Sequence, residues 1–118
     1  MSIPSPLPDP LVELVAQRFR VLSEPARIKL LDALRAGPAS VGELAVRVGL
    51  SQQNASKHLG VLHSAGLLER ARTGNTAQYA IADPSVFTLC ELVCDALRDR
   101  YSALQAVLPA PQAPVGPH

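Results

Sequence analysis

The side chains best equipped for chemistry fall in two clusters. Gln52, Gln53, Asn54, Ser56, Lys57 and His58 form the first. Their amide, hydroxyl, imidazole and ammonium groups are donors and acceptors sized to reach base edges and phosphate oxygens. The second is Cys90 and Cys94, two thiols separated by four positions. Soft thiolates select soft ions such as As(III), Cu(I), Zn(II) or Cd(II). No Ser/His/Asp or Cys/His set stands at a spacing that suggests an enzyme, and no glycine-rich loop suggests nucleotide binding.

The first cluster needs a scaffold that presents it outward. Ser51 can cap a helix, because its hydroxyl accepts a hydrogen bond from a first-turn N–H. Ala55, Leu59 and Leu62 then recur at spacings of four and three and share one face. The polar cluster occupies the other positions, which by itself describes any amphipathic helix with a solvated side. The neighbouring segments decide. Ser40-Val41-Gly42-Glu43 fits an S-x-x-E capping box and opens a helix that buries Val41, Leu44, Ala45 and Val48. It stops at Gly49, and only Leu50 separates that glycine from Ser51. Helices joined so tightly must cross steeply, as in a helix-turn-helix. After Gly66 the period changes: Leu67 to Arg72 and Ala77 to Ile81 are two extended runs bracketing Thr73-Gly74-Asn75-Thr76. Glycine and asparagine tolerate the positive φ of a tight hairpin, so the pair reads as a two-stranded wing.

Two further helices precede this unit and one follows it. Asp9-Pro10 reads as an N-cap and first-turn proline, with Leu11, Leu14, Val15, Phe19 and Leu22 on one face. Ser23-Glu24-Pro25 restarts the chain into a helix carrying Ile28, Leu31 and Leu34, which Gly37-Pro38 ends. Asp83-Pro84 opens a long helix to about Leu108, whose Cys90, Cys94, Leu97, Tyr101, Leu104 and Leu108 are spaced alternately by four and three. Such a heptad stripe packs along a partner helix, so a dimer through the first and last helices is predicted. The expected architecture is mainly α (α+β): a winged helix-turn-helix of five helices with a two-stranded β-wing. Residues 1–8 read as a flexible proline-bearing arm, 9–108 as the domain, and 109–118 as a disordered tail.

Cys90 and Cys94 lie in that stripe, and three readings stay open. A symmetric dimer would bring four thiols together, enough for three-sulfur As(III) ligation or a tetrahedral Zn or Cd site. They could instead be a redox pair. Within one helix a disulfide is poor, because Cβ atoms four residues apart sit about 5–6 Å from each other and a relaxed bridge needs about 3.5–4.5 Å; oxidation across the dimer would avoid that. Or they simply pack, since cysteine behaves as a small hydrophobe.

Composition bounds the rest. A 118-residue chain with 47% hydrophobic residues is not disordered and suffices for one domain. No apolar run reaches the length of a membrane span, and the N-terminus lacks a basic stretch before an apolar one, so a soluble, cytoplasmic protein with no membrane partner is expected. Two cysteines in such a chain are expected as thiols rather than a structural disulfide. The net charge of +1 excludes a polycation that coats nucleic acid. Between Ser51 and Tyr79, Lys57, Arg70 and Arg72 face only Glu69, so any DNA affinity rests on local charge with moderate salt sensitivity.

The element order, with Leu22-Ser23-Glu24-Pro25-Ala26-Arg27, Glu43-Leu44-Ala45, the run Ser51 to Leu59, Gly66-Leu67-Leu68 and Tyr79, resembles the ArsR/SmtB family of dimeric winged-helix repressors over roughly residues 10–104. The resemblance implies a homodimer on an inverted-repeat operator in double-stranded DNA. Gln52, Gln53, Asn54, Ser56, Lys57 and His58 would enter the major groove, with Arg72 and Asn75 on the wing reaching flanking DNA. His58, close to the buried face, could equally serve a structural hydrogen bond. The resemblance also implies release by an inducer, commonly a metal or metalloid. The chain departs from the family where its metals bind. The third helix reads Glu43-Leu44-Ala45-Val46-Arg47-Val48-Gly49 where arsenic sensors carry a thiol pair. Val61 and Ala65 stand where cadmium and lead sensors place cysteines, and the last helix has no histidine. Asn75 replaces the wing's usual basic residue. The reading is a dimeric DNA-binding repressor with Cys90/Cys94 as the thiol site for a metal, metalloid or oxidant. A constitutive repressor with no ligand, or a winged-helix protein-interaction module that has lost DNA binding, are the alternatives.

Overall fold

The computed structural model describes residues 3–105, with side chains described to Ser102. Five α-helices and three short strands follow one another as α1 (Asp9–Val21), α2 (Pro25–Ala33), β1 (Ala39–Ser40), α3 (Val41–Val48), α4 (Gln52–Ser64), β2 (Leu68–Thr73), β3 (Thr76–Ile81) and α5 (Ser85–Gln105). Together they make the mainly α winged helix-turn-helix expected from the sequence. The expectations for Leu108 and for the tail 109–118 lie outside the described residues. Two compact units divide at Pro84, the first holding α1 to β3 and the second α5.

In the first unit, local signals set most boundaries. Ser40 Oγ accepts from the Glu43 N–H at 3.2 Å while the Glu43 carboxylate accepts from the Ser40 N–H at 3.0 Å, closing the capping box at the start of α3. The carboxylate of Glu43 is held below its ordinary titration range, chiefly by that backbone donor, then by the Ser40 hydroxyl and Arg47. Gly49 ends α3 in the left-handed conformation, φ +74°, where a side chain would be strained. Ser51 then caps α4, its Oγ accepting from the Asn54 N–H at 3.1 Å. At the other end of α4, Gly66 N–H donates to His63 O (3.0 Å) and Leu67 N–H to Leu62 O (3.1 Å). That paired closure is a Schellman motif, with Gly66 at φ +80° and Leu67 buried as its apolar contact. It turns the chain directly into β2.

The wing pairs β2 with β3 in antiparallel register from Leu68↔Ile81 to Thr73↔Thr76. Gly74 takes φ +65°, and among the described residues no non-glycine has a positive φ, so Asn75 does not use its tolerance. A two-residue loop with positive φ only at its first position matches a type II′ turn. A third strand joins on the other edge of β3 through Ala39↔Tyr79 and Ser40↔Gln78. At two residues β1 is too short to show an alternation, so periodicity does not announce it.

Three other expectations change in detail. Pro8, not Asp9, is the N-cap of α1: its carbonyl accepts from the Leu11 and Val12 N–H groups at 3.0 Å, and Asp9 moves to the first turn, where its charge suits the helix dipole. α5 starts at Ser85, while the Asp83 carboxylate lies 3.6 Å from the Arg18 guanidinium. On α2 the core positions are Leu30, Leu31 and Leu34, and Ile28 is exposed. The core of the first unit is leucine-rich, with Leu30, Leu44, Leu59, Leu62 and Leu67 fully buried. α1 has no buried residue at all. On α5, Leu92, Val93, Leu97 and Tyr101 are exposed. Among the described residues no helix is long and apolar enough to cross a membrane.

Candidate nucleic-acid interface

Ala55, Leu59 and Leu62 anchor α4, each with no exposed surface. That burial fixes which way the rest of the helix points. Gln52, Gln53, Asn54, Ser56 and Lys57 are all exposed. Gln53 and Lys57, one turn apart, lie opposite the buried leucines. The first turn carries no acidic residue, so the partial positive charge of the helix N-terminus is unopposed on the side that would approach phosphates. The amides of Gln53 and Asn54 match the bidentate pattern that reads adenine in the major groove.

His58 behaves differently from its neighbours. It is half-buried, and its Nδ1 lies 3.2 Å from the Arg27 guanidinium. Arginine has donors only, so Nδ1 accepts, and the proton of a neutral ring sits on Nε2. The structural alternative named for His58 thus has a partner, and that partner lies 31 residues away, beyond any local spacing signal.

On the wing, Arg72 and Asn75 are exposed. Arg70, not among the residues the sequence assigns to the DNA contact, is exposed beside them. It sits directly across from Tyr79, with its guanidinium 5.8 Å from the ring centroid, a cation–π contact. His63, near the end of α4, meets the Tyr79 ring edge-on, 6.3 Å between centroids. Arg70 and Arg72 are two apart on one strand and share a face, a period-2 signal that would have found both. The buried Tyr79 ring therefore ties the wing to α4 and steadies a basic strand beside it.

Cys90 and Cys94 are both thiols, the first half-buried and the second exposed. Among the described residues no three His, Cys, Asp or Glu side chains converge to hold a metal. The donor chemistry of α3 does not fit the thiol site of arsenic sensors: Ala45 is buried in the core, and Arg47 pairs with Glu43 at 3.8 Å.

Comparison with known proteins places this geometry. A family model described as a helix-turn-helix domain matches residues 22–71. The HTH-type transcriptional regulator Rv0081 of Mycobacterium tuberculosis is 39% identical over 102 residues, covering 82% of this chain and 90% of the relative. The regulator KmtR of the same organism is 38% identical over 96 residues, covering 81% and 72%. The crystal structure of Rv0081 superposes with a TM-score of 0.73 over 81% of this chain and 97% of that one. The solution structure of a homodimeric winged helix-turn-helix DNA-binding domain from Mycobacterium bovis, a possible ArsR-family regulator, does so at 0.68 with 29% identity over 82% and 95%. A capped helix behind a tight turn, a basic wing after it and relatives that are transcriptional regulators rather than enzymes agree: the chain belongs to the ArsR/SmtB family of winged helix-turn-helix transcriptional regulators.

Proposed function

We propose that the protein is a cytoplasmic, homodimeric repressor that reads an inverted-repeat operator, one α4 per half-site. The observation that carries the reading is Gln53 and Lys57 exposed on a helix whose opposite face is locked by Ala55, Leu59 and Leu62. Arg70, Arg72 and Asn75 then supply the wing's contacts with flanking DNA. Dimerisation is supported by the apolar side chains left open on α1 (Val12, Leu14, Phe19) and on α5 (Leu92, Leu97, Tyr101). Apolar surface of this extent is covered in a stable soluble assembly. Selection from a random-sequence duplex pool, followed by footprinting, is expected to return a palindromic site bound with nanomolar affinity. Gln53→Ala with Lys57→Ala should abolish that footprint; unchanged affinity would refute the assignment of α4.

A thiol-directed inducer is proposed to act at Cys90 and Cys94, with As(III), Zn or Cd as the ion class or an oxidant in their place. Cys94 is exposed on the single chain and lies on the stripe that would face the partner, where a symmetric dimer would bring four thiols together. The constitutive repressor is the rival within this class. The near-neutral charge favours a second reading, a winged-helix protein-interaction module, which predicts that low-salt selection recovers no DNA.

A further inference from the structure

The C-terminal end of α1, the first turn of α2 and the middle of α4 meet at one side chain. The last carbonyls of any helix lack intrahelical donors. Here Arg27 fills that need: its Nε donates to Val21 O at 2.6 Å and its Nη2 to Arg20 O at 3.2 Å. The cation also sits at the negative end of the α1 dipole. Ser23 Oγ adds a donor to Arg20 O at 2.7 Å, so the end of α1 is held from two directions. The remaining arm of the guanidinium, Nη1, reaches His58 Nδ1 at 3.2 Å. A planar fork engages three acceptors at fixed angles, which a lysine ammonium on a flexible stem does not reproduce.

His58 follows Lys57 and precedes the buried Leu59. A tether at this position acts on the azimuth of α4, which decides where Gln53 and Lys57 point. We propose that Arg27 is a positioning residue for DNA reading: through His58 it sets the rotation of α4 about its own axis and ties that rotation to the C-terminal end of α1. A displacement of α1 thereby reaches the reading helix through one guanidinium. The inference rests on α4 being the DNA reader, as proposed above.

The test is a double-mutant cycle on full-length protein, read by fluorescence anisotropy on the selected operator and on a scrambled duplex. Arg27→Lys and His58→Ala are each expected to weaken operator binding about tenfold, and the double variant by no more than either alone. Scrambled-duplex affinity and the salt slope should not change, because no phosphate contact is lost. His58→Asn, whose Oδ1 can stand where Nδ1 accepts, should restore binding to within about threefold of the parent. Imidazole ¹⁵N shifts should report the Nε2–H tautomer in the parent protein and its loss in Arg27→Lys. Additive losses, a changed salt slope or failure of the asparagine variant would make His58 a direct DNA contact and overturn the proposal. A lowered melting temperature with operator affinity intact in the folded protein would make the contact merely structural and overturn it equally. If the parent protein binds no DNA, the reading of α4 fails instead, and the ¹⁵N signature still reports whether the Arg27–His58 bond exists.

Discussion

At the scale of single residues, short polar side chains start the two helices of the helix-turn-helix, Ser40 with Glu43 at α3 and Ser51 at α4. Glu43 shows the consequence most directly. Its folded pKa lies below the ordinary value of 4.5 because the carboxylate accepts from the Ser40 backbone, then interacts with the Ser40 hydroxyl and Arg47. A depressed carboxylate contributes stability that is present above its unfolded pKa and is lost as pH falls through the folded one. Glu43→Gln should therefore be less stable than the parent at neutral pH. The difference should shrink as pH drops below about 4.5, as followed by urea denaturation across the pH range. Ser40 and Glu43 were legible from the S-x-x-E spacing alone. Arg27 and His58 were not, because their contact depends on how three helices pack.

At the scale of elements, the wing is the informative case. Its existence follows from two extended runs around Gly74-Asn75, and its register follows from the two-residue loop. What the runs do not reveal is β1, whose two residues gain strand identity only by pairing with Tyr79 and Gln78. Nor do they reveal that Arg70 lies over Tyr79. Asn75 sits at the exposed turn with no side-chain role in the hairpin's φ values, so it can be replaced without strain. Asn75→Lys is expected to tighten binding to operator and scrambled duplex alike and to steepen the salt slope by about one unit per protomer. A titration at several salt concentrations checks this.

At the scale of the whole molecule, α1 and α5 are elements whose apolar residues find little cover within one chain. The hydrophobic pattern announced both faces, and the exposure of Phe19 (55%) and Leu97 (42%) agrees with it. Phe19→Asp and Leu97→Asp are each expected to convert a dimer to monomer in light scattering and to lower operator affinity at least tenfold, because two linked half-sites lose their avidity. For the thiols, Cys90→Ser with Cys94→Ser should leave operator binding unchanged while removing release by arsenite or by a thiol oxidant. Release that persists in the double variant would locate the sensor elsewhere, and a parent protein that no such agent releases is a constitutive repressor.

The sequence by itself determined where α3 and α4 begin, the tight Gly49-Leu50 turn between them and the hairpin, whereas α2 stops at Ala33, short of the Gly37-Pro38 expected to end it. Caps, turn glycines and hydrophobic periods are local, and each acts over fewer than about ten residues. Only the tertiary structure decided that Leu30 and not Ile28 enters the core, that a third strand completes the sheet, and that Arg27 grips His58. Those outcomes depend on contacts between residues distant in the chain, and the geometry that brings them together belongs to the packed helices rather than to any one segment.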